Sequence, residues 1–239
     1  MNTPEQVPSR REREREEMRR LIIDAAQRLF VTEGYESTTI RRIADAVEYT
    51  PGAIYSYFKD KDAILYAIHQ AGFGELQQRF VAAIGAAHTP VEQLAQLGEA
   101  YISFARANPE LYHLMFVAQA TSRTLHEAAS WPEGKAVYDS LRALVQVAVQ
   151  DGWIRPGDPE VIAFLLWSAV HGAVTLQICD RCMVLPESHR DAAVMPAYQY
   201  LLDTLVLPRS GGPPASAASP APSSSVAPEP RRRRSLPEQ

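Results

Sequence analysis

The sequence is poor in the residues from which many catalytic and metal sites are built. It has two cysteines, six histidines and three tryptophans in 239 residues. Two cysteines exclude a disulfide-stapled scaffold. They supply at most half of a thiolate zinc site, and no paired histidine motif completes one. There is no G-x-S-x-G, Walker loop, dinucleotide fingerprint or H-E-x-x-H. No catalytic residue, metal ligand or cofactor is therefore marked, and an enzyme is not expected. Strand-like alternation is also lacking, while apolar runs follow helical spacing, so the fold class is all-α. The N-terminus has no apolar run of the secretory kind. The longest uncharged apolar stretch, 161–179, is interrupted by Ser168, His171, Gly172, Thr175 and Gln177. Packing between helices accounts for it better than a bilayer does. A cytoplasmic protein with no membrane partner is expected.

A strongly basic balance is missing too: the net charge is −4. Its distribution is more informative. Residues 10–61 hold 11 basic and 10 acidic side chains, net +1, while 62–208 hold 8 basic and 15 acidic, net −7. The negative charge is concentrated away from the N-terminal segment.

That segment carries the clearest pattern. Residues 38–61 read T-T-I-R-R-I-A-D-A-V-E-Y-T-P-G-A-I-Y-S-Y-F-K-D-K. Ile40, Ile43, Ala44 and Val47 form one apolar helical face, capped by Thr38 or Thr39. Thr50 caps a second short helix with Pro51 at its first position, where a missing N–H costs nothing. Ile54 and Phe58, four apart, point into the core. Pro51, Gly52, Ala53 and Tyr55 are left on the outside, small enough for close approach to base edges. Tyr57, Lys59 and Lys61 follow, suited to phosphate oxygens.

These residues resemble the DNA-binding domain of the tetracycline-repressor (TetR) family of transcriptional regulators. The matching strings are A-A-Q-R-L-F-V-T-E-G-Y at 25–35, T-T-I-R-R-I-A at 38–44 and P-G-A-I-Y-S-Y-F-K-D-K at 51–61. The resemblance spans about a quarter of the chain, from Arg15 to Phe73. It implies that Thr39 holds a phosphate and that Arg41 is a base reader beside it. It implies that Thr50, Pro51, Gly52, Ala53 and Tyr55 face the major groove of double-stranded DNA. Tyr57 and Lys61 would grip the backbone. Two residues depart from the family pattern. Glu48 stands in the turn where glycine is usual, and Arg42 stands where an acidic residue often completes the cap.

Four segments are expected: a polar arm at 1–14, a three-helix helix-turn-helix domain at 15–61, a helical ligand-binding and dimerisation domain at 62–208, and a disordered Pro/Ala/Ser/Arg tail at 209–239. The segment 10–20 alternates charge and reads as a solvated helix. Arg10, Arg11 and Arg13 are its candidates for reaching a phosphate or minor groove. The tail composition buries too little apolar surface to fold, and Arg231–Arg234 offer non-specific attraction to DNA.

Proline positions divide the larger segment into helices at 60–86, 91–107, 109–118, 135–151, 159–182 and 189–207. The helix around Trp167 is apolar nearly all round. Pairing 159–182 and 189–207 with their copies in a homodimeric four-helix bundle would cover it. W-S-A-V-H-G at 167–172 is similar to a signature of TetR-like C-terminal domains. Tyr101, Phe104, His113, Phe116, Tyr138, Trp167 and His171 are expected to face inward, as candidates for a small-molecule site.

The function expected is a ligand-responsive DNA-binding regulator. In this reading it is a repressor released from a palindromic operator by a small hydrophobic effector. The alternative is a helical metal or redox protein, or an enzyme, using Cys179, Cys182 and His171.

Overall fold

The computed structural model describes residues 9–118 and 132–208. Helices make up nearly all regular structure among these residues, as the apolar spacing predicts. The tail at 209–239 lies outside the described residues.

The first helix, α1, spans Arg10–Thr32. It starts inside the segment expected as a polar arm, because Ser9 and Glu12 form a reciprocal cap. Glu12 N donates to Ser9 Oγ (3.3 Å) and Ser9 N donates to the Glu12 carboxylate (2.7 Å). The Ser9 backbone N–H, and after it the Ser9 hydroxyl, hold the Glu12 carboxyl below its ordinary range. Ile22, Ala25, Ala26, Leu29 and Phe30 form its buried face. The chain turns at Gly34, whose φ of 84° suits a residue without Cβ.

Two short helices follow, α2 at Ile40–Ala46 and α3 at Pro51–Tyr55. Each begins at a threonine. Thr39 Oγ1 accepts from Arg42 N (3.1 Å) and Thr50 Oγ1 from Ala53 N (3.3 Å). Thr38 does not cap. It is buried and donates to the carbonyls of Gly34 (2.8 Å) and Leu29 (3.3 Å). Ile43, Ala44, Val47, Ile54 and Phe58 close on α1 as one core. Arg42 takes no part in the cap through its side chain. Its guanidinium forks onto Glu33 (2.7 Å), tying α2 to the end of α1.

The longest element, α4, spans Lys61–Ala86 and packs against α1 and against the helices Pro90–Ala107, Pro109–Phe116 and Pro132–Gln150. The others are α5 at Pro90–Ala107, α6 at Pro109–Phe116 and α7 at Pro132–Gln150. They are followed by α8 at Pro159–Ile178, α9 at Glu187–Arg190 and α10 at Val194–Leu205. Prolines open α5 to α8, where they cost no hydrogen bond. Gly98 on α5 lets the Tyr198 ring lie directly against the helix backbone, and Tyr198 donates to the Leu94 carbonyl (2.9 Å).

Two expected helices are shorter than their apolar patterns. The one drawn to Cys182 stops at Ile178, because Asp180 adopts left-handed backbone (φ 54°). Cys179 therefore caps α8 and Cys182 lies in a separate 3₁₀ turn, Arg181–Val184, so the two do not share a helical face. Both thiols are free, and no cluster of three potential metal ligands exists among the described residues. The last helix begins at Val194, not at 189.

By length and composition α8 is apolar enough to cross a membrane. One side of it, with Ile162, Ala163, Leu166, Val170 and Val174, is buried in the subunit. Val161 (63% exposed), Phe164, Leu165 and Leu176 (52%) remain on the surface.

Candidate functional site

The helix-turn-helix presents most of the predicted residues to solvent. Thr39, Arg41, Thr50, Pro51, Gly52 and Tyr55 are exposed, and Ala53 and Tyr57 are half-buried. Tyr55, the last residue of α3, is exposed, while its neighbour Ile54 is fully buried. The turn before α3 contains Glu48 at φ 60°. A side chain there costs roughly 1–2 kcal/mol of steric strain that glycine would avoid.

Lys61 departs from its expected role. Its ammonium donates to the main-chain oxygens of Tyr35 (2.6 Å), Thr38 (3.0 Å) and Glu36 (3.5 Å) and lies over the Tyr35 ring. An ammonium has three donors, and all three are used within the domain. The group expected to grip DNA instead fastens the start of α4 to the turn between α1 and α2. The Tyr35 hydroxyl, donating to the Asp62 carboxylate, adds a second tie at the same place.

The second site is a cavity of about 430 Å³ inside the helical body. Phe73, Leu76 and Phe80 of α4 line one wall; Leu97, Gly98 and Tyr101 of α5 line another. Val137, Tyr138 and Leu141 of α7 and Phe164, Leu166, Trp167 and Val170 of α8 complete much of it. Its polar lining includes Lys135 and Glu160, with Tyr138 donating to the Glu160 carboxylate (2.9 Å). Desolvation, then that carboxylate, push the Tyr138 phenol up to about 12.

Of the seven residues expected here, Tyr101, Phe116, Tyr138 and Trp167 line the cavity. His171 sits just behind them. Its Nδ1 lies 2.7 Å from the Tyr112 hydroxyl and 2.9 Å from that of Tyr101. Burial lowers the imidazole pKa and raises that of both tyrosines. A neutral ring with Nδ1 accepting fits these contacts.

The other two do not line this cavity. His113 is exposed, because its neighbour Tyr112 occupies the inward face of α6. Phe104 is fully buried but packs elsewhere, under the Arg79 guanidinium. The α4 residues Phe73, Leu76 and Phe80 were missed, since apolar spacing on a long helix does not distinguish a cavity wall from solid core.

The comparisons with known proteins bear on both sites. Residues 22–68 match the family model described as bacterial regulatory proteins, tetR family. Residues 94–204 match the tetracyclin repressor-like C-terminal domain. The fatty acid metabolism regulator protein of Bacillus subtilis is 30% identical over 163 residues, 66% of this chain and 82% of that protein.

The chain belongs to the TetR family.

It is a DNA-binding transcriptional regulator, in a family of soluble proteins in which response to a ligand is typical. A second relative, the HTH-type transcriptional regulator HbdR of Aromatoleum sp. (strain CIB), is 29% identical over 160 residues, 65% of this chain and 68% of that protein. The fatty acid degradation regulator FadR of Bacillus halodurans shares the fold. It has a TM-score of 0.65 and 22% identity, covering 77% of this chain and 94% of that one. Membership of a regulator family argues against an enzyme.

Proposed function

We propose that this TetR-family protein is a cytoplasmic homodimeric repressor, released from a palindromic operator by a small hydrophobic effector. In this reading Arg41, Thr50, Pro51, Gly52, Ala53 and Tyr55 face the major groove, and Thr39 and Tyr57 hold phosphates. Residues 15–61 act as the reading domain and 62–208 as the effector and dimerisation domain.

One observation carries the proposal: α4 serves both sites. Its first residue, Lys61, is fastened to the carbonyls of Tyr35 and Thr38 in the reading domain. Three turns further on, Phe73, Leu76 and Phe80 form a cavity wall. An effector that fits one position of α4 better than another biases where the reading domain sits. It shifts the equilibrium only by its difference in affinity for the two states. The cavity chemistry favours an apolar effector, with Tyr101 and Tyr138 offering polar contacts. The exposed apolar side of α8, joined by Tyr200 on α10, serves as the dimer interface.

The test is an operator selected by the purified protein from random duplexes, then titrated with apolar carboxylates and aromatic compounds. Binding as two protomers to an inverted repeat, and release by at least one compound, is the expected result. Trp167→Ala and Tyr138→Ala should keep operator affinity and lose or alter release. Binding to a site without inverted symmetry, or release unaffected by both substitutions, would overturn the scheme.

A further inference from the structure

The first two turns of α1 extend past the core. Residues Arg10 to Glu17 are all exposed, whereas the helix packs on the core from Met18 onward. Helical spacing of about 100° per residue divides the charges on this segment unevenly. Arg11, Arg15 and Arg19 fall four apart on one stripe. That stripe continues the face which later carries Ile22, Ala26 and Leu29, the side of α1 turned toward the helix-turn-helix. Glu14, Glu16 and Glu17 point to the other half of the helix. Glu12, at the edge of the stripe, has its carboxylate folded back onto Ser9 N.

The stripe runs directly into the reading head. The Arg15 guanidinium donates to the carbonyl of Ser56, the residue that caps the C-terminus of α3 (3.4 Å), and lies over the Tyr57 ring. Arg19 lies over the Phe58 ring. Lys59, which follows Phe58 in the chain, is exposed and lies 3.7 Å from the Asp60 carboxylate. A guanidinium has five donors, so these contacts orient Arg15 and Arg19 without exhausting them. Arg11, one turn further out, extends the row beyond the helix-turn-helix body.

We propose that Arg11, Arg15 and Arg19 form a phosphate track that carries the DNA contact from the reading helix onto the backbone flanking each half-site. The proposal rests on the helix-turn-helix binding DNA. It selects Arg11, Arg15 and Arg19, on the face of α1 whose Arg15 and Arg19 meet residues 56–58, over the sequence candidates Arg10 and Arg13. The weak net charge of the reading domain is thereby partly offset by sorting: Arg11, Arg15 and Arg19 share the stripe, while Glu14, Glu16 and Glu17 lie off it. Arg15 and Arg19 act also as positioning residues for Tyr57 and Phe58. Arg11 has no such duty and is the clean probe.

The experiment uses the full chain and an operator duplex selected from a random pool, extended by several base pairs on each side. Affinity is measured across salt concentrations for wild type, Arg11→Ala and Arg20→Ala. Arg20 carries the same charge on the opposite face of α1. Each lost phosphate contact lowers the slope of log affinity against log salt by about 0.9. Arg11→Ala should show that drop per protomer, and should lose interference from ethylated phosphates outside the half-site. Arg20→Ala should retain the wild-type slope and pattern. An unchanged slope in Arg11→Ala, or an equal drop in Arg20→Ala, would reject the track while leaving the helix-turn-helix reading intact. A wild-type chain that selects no duplex would reject both.

Discussion

Lys61 Nζ lies 2.6 Å from the main-chain oxygen of Tyr35 and 4.1 Å from the centroid of its ring. The first residue of the connecting helix is thus tied to the turn between α1 and α2 by a charge-assisted hydrogen bond and a cation–π contact. Removing it should act through position rather than through a lost phosphate. Lys61→Ala should cost about 1–3 kcal/mol of stability in urea unfolding. It should weaken operator binding while leaving the salt slope close to wild type. A slope reduced by one contact's worth would return Lys61 to the DNA backbone.

Glu48 should be replaceable with profit to the fold. Its left-handed backbone favours glycine, and the residue is exposed. Glu48→Gly should raise stability by about 1 kcal/mol, net of the entropy that glycine loses on folding. Thermal unfolding measures this directly. A lower melting temperature would show that the Glu48 side chain contributes a contact that outweighs the strain.

Assembly is best tested at surface positions of α8. Leu166 and Val170 are buried within one subunit, so a charge there would damage the subunit itself. Leu165 and Leu176 are exposed apolar residues on the same helix. Leu165→Glu and Leu176→Glu should leave the helical spectrum unchanged and move the protein from dimer to monomer in sedimentation. Operator affinity should fall at least tenfold as two linked half-sites become independent. A dimer unaffected by both substitutions would place the interface elsewhere.

Stability should depend on pH through His69. This histidine is buried on α4 between Tyr66 and Phe73, and desolvation pulls its pKa down to about 4, against a smaller upward pull from Glu133. The unfolded chain takes up the proton near ~6.5. Between those values the unfolded state binds more protons, so stability rises with pH. The contribution is complete above ~6.5 and declines as pH falls toward about 4, by roughly 3 kcal/mol in all. His69→Phe should flatten the unfolding free energy across this window. An equally steep profile in that variant would assign the loss to other groups.

Short-range chemistry made much of the molecule legible in advance. Threonine caps, helix-start prolines and the Ile43, Val47, Ile54 and Phe58 spacing placed α2 and α3, because each signal acts within one or two turns of backbone. The Ser9–Glu12 cap was equally local, and reading it would have started α1 at Arg10. Four of the seven expected pocket residues line the cavity, since aromatic residues at inward helical positions have few other places to go.

What remained depended on contacts between distant segments. The sequence by itself determined an all-helical chain with a DNA-reading head, through periodicity and capping that need no partner. It did not determine whether the Lys61 ammonium meets DNA or the carbonyl of Tyr35, 26 residues away. Nor did it determine that Tyr112, rather than His113, turns inward to His171. Those outcomes were decided by the tertiary structure: a long side chain takes the acceptors that packing brings within reach, and a helix's inward face is set by what it packs against.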